Sequence, residues 1–152
     1  MHHWRAKMIE NYHYRALENM YAAAPINKIY EPTLTVSKGA AEIKIELSEQ
    51  YHHSGGAVHG SVSFKMLDDA AFFAANSYET EVFVLTTSFT IYLTRPVSEG
   101  SLRAVGKVVN KNKSQFIAES IVYDSTGNEV GRGNGVFVRS KMPLSQAKGY
   151  GA

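Results

Sequence analysis

The chain contains no cysteine among its 152 residues. This absence excludes disulfide bridges, zinc sites built on thiolates and a cysteine nucleophile, and it is typical of a reducing compartment. Long hydrophobic runs are absent too, since the longest largely apolar stretch covers residues 70–75, whereas a helix that spans a bilayer needs roughly 20 apolar residues. The N-terminus shows no apolar segment of signal-peptide length. We therefore expect a soluble, cytoplasmic protein with no membrane partner.

An excess of charge of either sign is also missing. The chain has 16 Lys and Arg residues against 14 Asp and Glu residues, which gives a net charge of +2. The basic residues are scattered, so composition does not favour a nucleic acid as partner. With 44% hydrophobic and 20% charged residues, the sequence is typical of one globular domain with its own core.

The periodicity of apolar residues predicts two helices and six strands. The helices are expected at 6–24 and 60–77, and the strands at 30–37, 40–47, 83–94, 102–110, 115–123 and 129–139. Consecutive strands with short connections favour an antiparallel sheet. The second helix is apolar nearly all round, which indicates burial on most sides. We therefore predict an α+β fold in which a curved antiparallel sheet wraps a central helix, with an extra N-terminal helix.

The chain is predicted to divide into three parts. Residues 1–29 would form the N-terminal helix and its connector, and residues 30–141 the main domain. Residues 142–152 are rich in Pro, Ser and Gly, and we expect them to form a loose tail.

The most informative segment is the loop at residues 53–60 and the apolar helix that follows it. Gly60 would leave backbone N–H groups exposed at the positive end of the helix dipole, where anions and polarised carbonyls bind. Asp68 lies further along this helix among apolar residues. A carboxylate in such surroundings must have a hydrogen-bond or ion-pair partner, be protonated, or serve in the function of the protein. Asp69 is expected to have a structural role, facing Lys65 one turn earlier.

This segment resembles the hotdog-fold acyl-CoA thioesterases of the phenylacetate-pathway and 4-hydroxybenzoyl-CoA type. The family pattern is Asn-x-x-Gly-x-x-His-Gly-Gly, with an Asp nine residues after the His. Residues 53–61 read His-x-x-Gly-x-x-His-Gly-Ser, and Asp68 stands at the expected place. A His and a Ser therefore replace the family's Asn and second Gly. The resemblance extends over roughly residues 30–140 in element order.

The resemblance implies the roles of five catalytic-site residues. Asp68 would be the general base or the nucleophile, two roles that the sequence does not separate. The Gly60 N–H would donate to the thioester carbonyl oxygen. His53 would orient water or stabilise the sulfur, and Thr86 would hold the same water. His59 would fix the shape of the loop rather than transfer a proton.

The resemblance also implies the substrate contacts and the assembly. Gly56 and Ser61 would shape the substrate-binding loop, while Lys111, Lys113 and Arg132 would meet the phosphates of coenzyme A. The family builds its site from two subunits, one giving the glycine loop and the other the Asp helix, so a homodimer is implied, with a homotetramer as the further assembly. No cofactor is needed, because coenzyme A is part of the substrate.

Several alternatives remain open or are disfavoured. A non-catalytic acyl-CoA sensor stays possible because His53 departs from the family pattern. An enoyl-CoA hydratase of the same fold would carry an Asp five residues before the His, where this chain has Ser54. The histidines at 52, 53 and 59 lack an acidic or fourth ligand at metal-binding spacing, so no metal is predicted. The aromatic residues could line an acyl pocket or pack the core: Phe64, Phe72, Phe73, Phe83 and Tyr92.

Overall fold

The computed structural model describes residues 2–151. The helices are α1 (His2–Ala23), α2 (Asn27–Tyr30) and α3 (Gly60–Asn76). The strands are β1 (Thr33–Ser37), β2 (Ala40–Glu46), β3 (Val82–Leu93), β4 (Ser101–Lys111), β5 (Phe116–Tyr123) and β6 (Glu129–Pro143). Two short 3-10 turns, Glu49–Tyr51 and Leu144–Gln146, complete the described elements.

All six strands form one antiparallel sheet in the order β1-β2-β4-β5-β6-β3. Helix α3 packs against one face of this sheet and contacts every strand. The predicted α+β hotdog architecture, a sheet wrapped around a central helix with an additional N-terminal helix, is therefore confirmed.

Helix α3 lies very close to the sheet because small residues meet where the two pack. Ala70 and Ala74 are fully buried, and a Cβ atom at Gly106 of β4 would collide with the Ala70 carbonyl oxygen. The Ser120 hydroxyl on β5 donates to the Leu67 carbonyl oxygen at 2.7 Å. This hydrogen bond satisfies a polar group inside the core and fixes the helix on the sheet.

Strand β3 is an edge strand that contains a bulge at Thr87. Thr86 pairs with Phe137 and Ser88 with Val136, so no residue of β6 lies opposite Thr87 in the register, although its hydroxyl donates to the Val136 carbonyl oxygen at 3.2 Å. An extra residue of this kind shifts the alternation of side chains between the two faces. Before the bulge, Val84 is buried and Thr86 reaches Asp68; after it, the odd-numbered Phe89 and Ile91 are the half-buried residues.

The two ends of the described chain pack together, which corrects the prediction of a loose tail at residues 142–152. Strand β6 continues to Pro143, and Leu144 is almost fully buried. The buried His13 of α1 accepts a hydrogen bond from the Tyr150 hydroxyl at 2.7 Å and donates to the Asn76 carbonyl oxygen at 2.8 Å. A buried imidazole needs partners at both nitrogens, and the tail supplies one of them. Burial lowers the pKa of His13, so its neutral form is favoured.

The connection between α1 and the sheet also differs from the prediction. A strand was expected over 30–37, but β1 begins at Thr33 because the preceding residues form the short helix α2. Glu31 ends α2 in the left-handed conformation, with φ of 50°. Leu17 of α1 joins the same core cluster as the residues of α3, so the N-terminal helix is packed into the main body.

Candidate functional site

Asp68 lies in the middle of α3 with its carboxyl group half-buried. The Thr86 hydroxyl donates to Asp68 Oδ1 at 2.9 Å, which leaves Oδ2 without a hydrogen bond from the described residues. Burial raises the pKa of Asp68 to about 6, although the hydrogen bond from Thr86 lowers this pKa. Of the two neighbouring charges, the Asp69 carboxylate raises the pKa and the Lys65 ammonium lowers it. A carboxyl group of this kind is poised to accept a proton near neutral pH.

The neighbouring carboxyl group is engaged in a different way. Asp69 Oδ2 accepts from the Tyr21 hydroxyl at 2.7 Å and from Lys65 Nζ at 2.5 Å. Lys65 Nζ also lies 3.2 Å from the Tyr21 hydroxyl. The predicted contact between Asp69 and Lys65 is therefore present. Of the two adjacent carboxyl groups, Asp69 is fixed by a cation and a phenol, whereas Asp68 is held only by a hydroxyl.

Asp68 and Thr86 open into a cavity of about 510 Å³, a size typical of sites for small organic ligands. Its walls come from α3, β3 and the N-terminal segment. The aromatic residues that line it are Tyr21, Phe64, Phe72, Phe73 and Phe83, so four of the five aromatic candidates from the sequence border the cavity. The contribution of α1 and α2 was missed: Met20, Tyr21, Ala24, Ile26 and Asn27.

Helix α3 begins at Gly60. The Gly60 N–H donates no hydrogen bond to an acceptor within residues 2–151. His59 is the N-cap residue: its Nδ1 accepts from the Ser61 N–H at 3.0 Å and lies 2.8 Å from the Ser61 hydroxyl. The cap satisfies one exposed donor of the first helical turn and leaves the Gly60 N–H available. His59 therefore caps the first turn of α3, and its role in the loop stays a prediction.

His53 shares a second cavity, of about 390 Å³, with Gly60 and Arg95. His53 Nδ1 accepts from the Gly55 N–H at 2.9 Å, so in the neutral imidazole Nε2 carries the proton. Gly56 has φ of 85°, a conformation that favours glycine, and its carbonyl oxygen accepts from the Ser98 hydroxyl at 3.0 Å. Arg95, which was not singled out from the sequence, adds a cation to this cavity.

The two halves of the predicted catalytic group lie apart within one chain. Gly60 and Asp68 are separated by eight residues of one helix, which corresponds to about 12 Å along its axis. They also line different cavities. One thioester carbonyl cannot lie within hydrogen-bonding distance of the Gly60 N–H and beside Asp68 of the same chain. Asp68 and Thr86 are brought together, as are Gly60, His53 and His59.

The basic residues predicted to meet the phosphates do not converge. Lys111 Nζ lies 3.9 Å from the centre of the Tyr78 ring. Arg132 binds Glu129 through two hydrogen bonds of 2.6 and 3.0 Å. The strand register places Lys111 and Arg132 about five residues apart along β5, or about 17 Å. Lys113 is exposed in the β4–β5 turn near Lys111, so one phosphate cannot meet all three within a chain.

Each histidine of the loop makes hydrogen bonds of its own to nearby residues. His52 Nε2 hydrogen-bonds the Ser98 carbonyl oxygen at 2.7 Å, and the contacts of the other two are given above. Between residues 2 and 151, no group of three or more His, Asp or Glu side chains is arranged to hold a metal ion. Over the same range, no helix combines the length and apolar character needed to cross a membrane.

Comparisons with known proteins identify the family and the fold. Residues 55–130, half of the chain, match the family model of the thioesterase superfamily. The fold is similar to that of the Escherichia coli PaaI protein from the phenylacetic acid degradation operon, with a TM-score of 0.81 at 19% identity over 89% of this chain and 98% of that one. A thioesterase from Haemophilus influenzae gives a TM-score of 0.71 at 13% identity, covering 79% and 85%. A candidate esterase from Saccharolobus solfataricus is 24% identical over 68% of this chain and 69% of its own length.

Proposed function

Because the chain belongs to the thioesterase superfamily, we propose that it hydrolyses an acyl-CoA thioester to a free acid and coenzyme A. The observation that carries this proposal is the state of Asp68. Its carboxyl group faces a cavity of acyl size, one of its oxygens is held by Thr86, and its pKa is raised to about 6. Such a group is ionised at neutral pH and can still take up a proton during the reaction.

In the proposed reaction, a water molecule attacks the thioester carbonyl carbon while Asp68 Oδ2 takes its proton. The carbonyl oxygen gains negative charge, which a Gly60 N–H stabilises. The carbon–sulfur bond then breaks, and the thiolate leaves with the electron pair and receives the proton from Asp68. A thiol of pKa about 8.5 is a fair leaving group, so little further acid catalysis is needed. His53 can support this step, since its Nε2–H is a donor in the cavity that contains Gly60.

The separation of about 12 Å between Gly60 and Asp68 leads us to place them in different subunits of a homodimer. The outer edge of β3 has no strand partner in the described chain, and it carries the exposed Leu85, Tyr92 and Leu93. An unpaired edge of 12 residues is a natural site for pairing with a second copy. Since Gly60 lies against Leu93 at the C-terminal end of β3 and Asp68 contacts Thr86 seven residues earlier, antiparallel pairing brings each Gly60 towards the partner subunit's Asp68.

A register that keeps equivalent faces together places one residue opposite itself on the two-fold axis, and we propose Thr90 for this position because it lies between the half-buried Phe89 and Ile91. Phe89 then faces the partner's Ile91, and Ser88 faces the partner's Tyr92, so half-buried residues meet half-buried ones. We expect Thr90→Cys to form a disulfide-linked dimer on mild oxidation, because the chain has no other cysteine. The readout is non-reducing electrophoresis. Thr33→Cys, on the opposite sheet edge, is the matched control, and cross-linking of both variants to the same extent contradicts the arrangement.

The activity itself is tested by measuring thiol release from a panel of acyl-CoAs. Asp68→Asn keeps the shape of the side chain and its contact with Thr86 but removes the base, so we expect kcat to fall by about 10²–10⁴-fold. Glu42→Gln, which removes a carboxylate from the exposed side of β2, should match the wild type. Turnover by Asp68→Asn at the wild-type rate would refute the assignment, and acyl-CoA binding by calorimetry without turnover in the wild type would identify a sensor instead.

A further inference from the structure

Helix α3 and strand β3 run side by side in opposite directions, and contacts between them recur at every fourth residue of the helix. These contacts are Gly60 against Leu93, the Phe64 and Phe89 rings with centres 5.7 Å apart, the hydrogen bond between Asp68 and Thr86, the Phe72 and Phe83 rings with centres 5.1 Å apart, and the hydrogen bond from the Val84 N–H to Asn76 Oδ1. Residues four apart lie on the same face of a helix. The cavity at Asp68 therefore has a defined order along this cleft, with Phe64 on one side of the carboxyl group and Phe72 on the other.

The Phe72 side of the cavity is closed. The Phe72 ring contacts the Phe73 and Phe83 rings, whose centres lie 5.0 and 5.1 Å away, and all three residues line the cavity. One turn further along α3, Asn76 is fully buried and is held by hydrogen bonds to α1 and β3; it lies outside the cavity lining. The rings of Phe72 and Phe83 therefore form an end wall, backed by a buried hydrogen-bonded cluster, at about 6 Å from Asp68 along the helix axis.

The opposite side of the cavity is open. Phe64 is 39% exposed, and together with Lys65 it also lines a shallow pocket that contains Gly60. The large coenzyme A group needs an open side to reach the carboxyl group. We therefore expect the thioester to enter past Phe64 and its acyl group to extend towards the end wall.

The charges around the cavity disfavour a charged acyl group. Among the described residues, its lining includes two carboxyl groups, Asp68 and Asp69, and one ammonium group, Lys65. Lys65 Nζ is already engaged, since it donates to Asp69 and lies 3.2 Å from the Tyr21 hydroxyl. A carboxylate at the end of an acyl chain would meet aromatic rings and no free cation, while the two carboxyl groups would repel it.

We propose that Phe83 is a specificity-determining residue that ends the acyl cavity, so that the substrate carries an uncharged, apolar acyl chain whose length is limited by the contact between Phe83 and Phe72. This proposal rests on the proposed thioesterase function, since the acyl group must occupy the Asp68 cavity. A methylene that fits an apolar pocket strengthens transition-state binding about tenfold or more, whereas a chain that meets the wall gains nothing further. Phe83 is half-buried on an edge strand, so its ring can be exchanged with less damage to the core than that of Phe72, which also packs against Phe137.

The test measures thiol release from straight-chain acyl-CoAs of increasing length. For the wild type, we expect kcat/KM to rise to an optimum length and then to fall by at least about tenfold for the next longer chains. Phe83→Ala leaves space that a longer chain fills, so its optimum should be longer by about two carbons or more. Phe83→Trp should shorten the optimum, and it provides a second variant if the alanine variant folds poorly. The optimum length is internal to each variant, so it does not depend on the folded fraction.

Phe64→Ala is the matched control, because it removes the same ring from the open side of the same cavity and should leave the optimum length unchanged. An acyl chain that ends in a carboxylate should give a kcat/KM at least about 10²-fold lower than the uncharged chain of equal length, since a charge without a partner is costly in an apolar site. An unchanged optimum in both Phe83 variants, or a shift of the same size in Phe64→Ala, would overturn the end wall. Equal kcat/KM values for the two kinds of chain would overturn the assignment of an uncharged acyl group.

A binding measurement separates this proposal from the thioesterase function. S-alkyl-CoA thioethers lack the carbonyl group and are not hydrolysed, so calorimetry can follow how their affinity depends on chain length alone. We expect the affinity to stop improving at the length set by Phe83, and Phe83→Ala to move this limit to longer chains; a limit that stays in place would count against the end wall. Absence of turnover with every acyl-CoA would refute the thioesterase function, and the thioether series would then decide the role of Phe83 on its own.

Discussion

The two cavities along α3 differ in almost every property. The cavity at Asp68 is lined by aromatic rings and contains a carboxyl group of raised pKa. The cavity at Gly60 is smaller and offers donors: a backbone N–H, the His53 imidazole and the Arg95 guanidinium. The first can accept a proton, and the second can stabilise negative charge. Under the proposed mechanism each cavity holds one half of the chemistry of hydrolysis, and about 12 Å of helix separates the halves within a chain.

The largest expected effect comes from combining a defect in each cavity. Gly60→Pro removes the N–H donor at a first helical position where proline is tolerated, and the extended conformation of His59 (φ −61°, ψ 138°) permits a following proline. We expect this variant to lose about 10²–10³-fold in kcat. When it is refolded together with Asp68→Asn, half of the dimers are mixed and each mixed dimer has one intact site. Activity should then return to about a quarter of the wild-type value.

The controls for this experiment are the two variants refolded separately. Each should remain inactive after the same treatment. If the mixture is no more active than its components, the catalytic residues are not shared between subunits. The two cavities would then not form one active site across a dimer interface.

The pH dependence of activity distinguishes the two cavities of the proposed site, because only the Asp68 cavity contains a carboxyl group whose pKa is raised. We expect kcat/KM to fall about tenfold for each pH unit below about 6, as Asp68 becomes protonated. Thr86→Val removes the hydrogen bond that lowers this pKa, so its profile should shift to higher pH. Stopped assays of thiol release across the pH range provide the measurement, and coincident profiles for the two proteins would contradict the role of Thr86.

A smaller effect is expected on stability. The pKa of Asp68 is about 6 in the folded protein and 3.8 ordinarily, so the folded state binds the proton more tightly. The free energy of unfolding therefore decreases as pH rises from about 4 to 6 and stays reduced above that range. Because Asp68 is partly exposed, we expect Asp68→Asn to be more stable than the wild type by only about 1–2 kcal/mol at about pH 8.

This difference should vanish below about pH 3, where Asp68 is protonated in the folded and unfolded states alike. Urea unfolding at the two pH values measures it, with Glu42→Gln as the control. A variant that is less stable than the wild type at the higher pH would show that the Asp68 carboxylate is stabilised rather than strained by its surroundings.

Much of the fold could be predicted from local patterns. The all-round apolar character of α3 identifies a buried helix, and the alternation at Phe89 and Ile91 identifies the faces of β3. The spacing from the glycine loop to Asp68, read through the family resemblance, predicts which carboxyl group is the proposed base, because a helix fixes the separation of its residues. Asp69 could be assigned a structural role for the same reason, since Lys65 lies one turn away.

What the sequence did not predict depends on contacts between distant segments. The bulge at Thr87, which follows the residue that reaches Asp68, has no glycine or proline to mark it. The apolar spacing of α1 predicted a buried face, but not that Tyr21 would lie beside Asp69 in a cavity wall. The tail was expected to be loose because its composition resembles a linker, but Leu144 and Ala147 enter the core and the buried His13 of α1 binds the Tyr150 hydroxyl.

The bulge at Thr87 also makes β3 sensitive to changes in length. Side chains of a strand alternate with a period of two, so removing this single residue would turn every later side chain of β3 to the opposite face. Phe89 would then leave its place over Gly133 and Gly135, and Tyr92 would point at α3. Substitutions along β3 can be accommodated one at a time, whereas a deletion or insertion there would reverse the faces of the rest of the strand. We therefore expect members of the thioesterase superfamily to differ at this edge in the identity of their residues and not in the length of the strand.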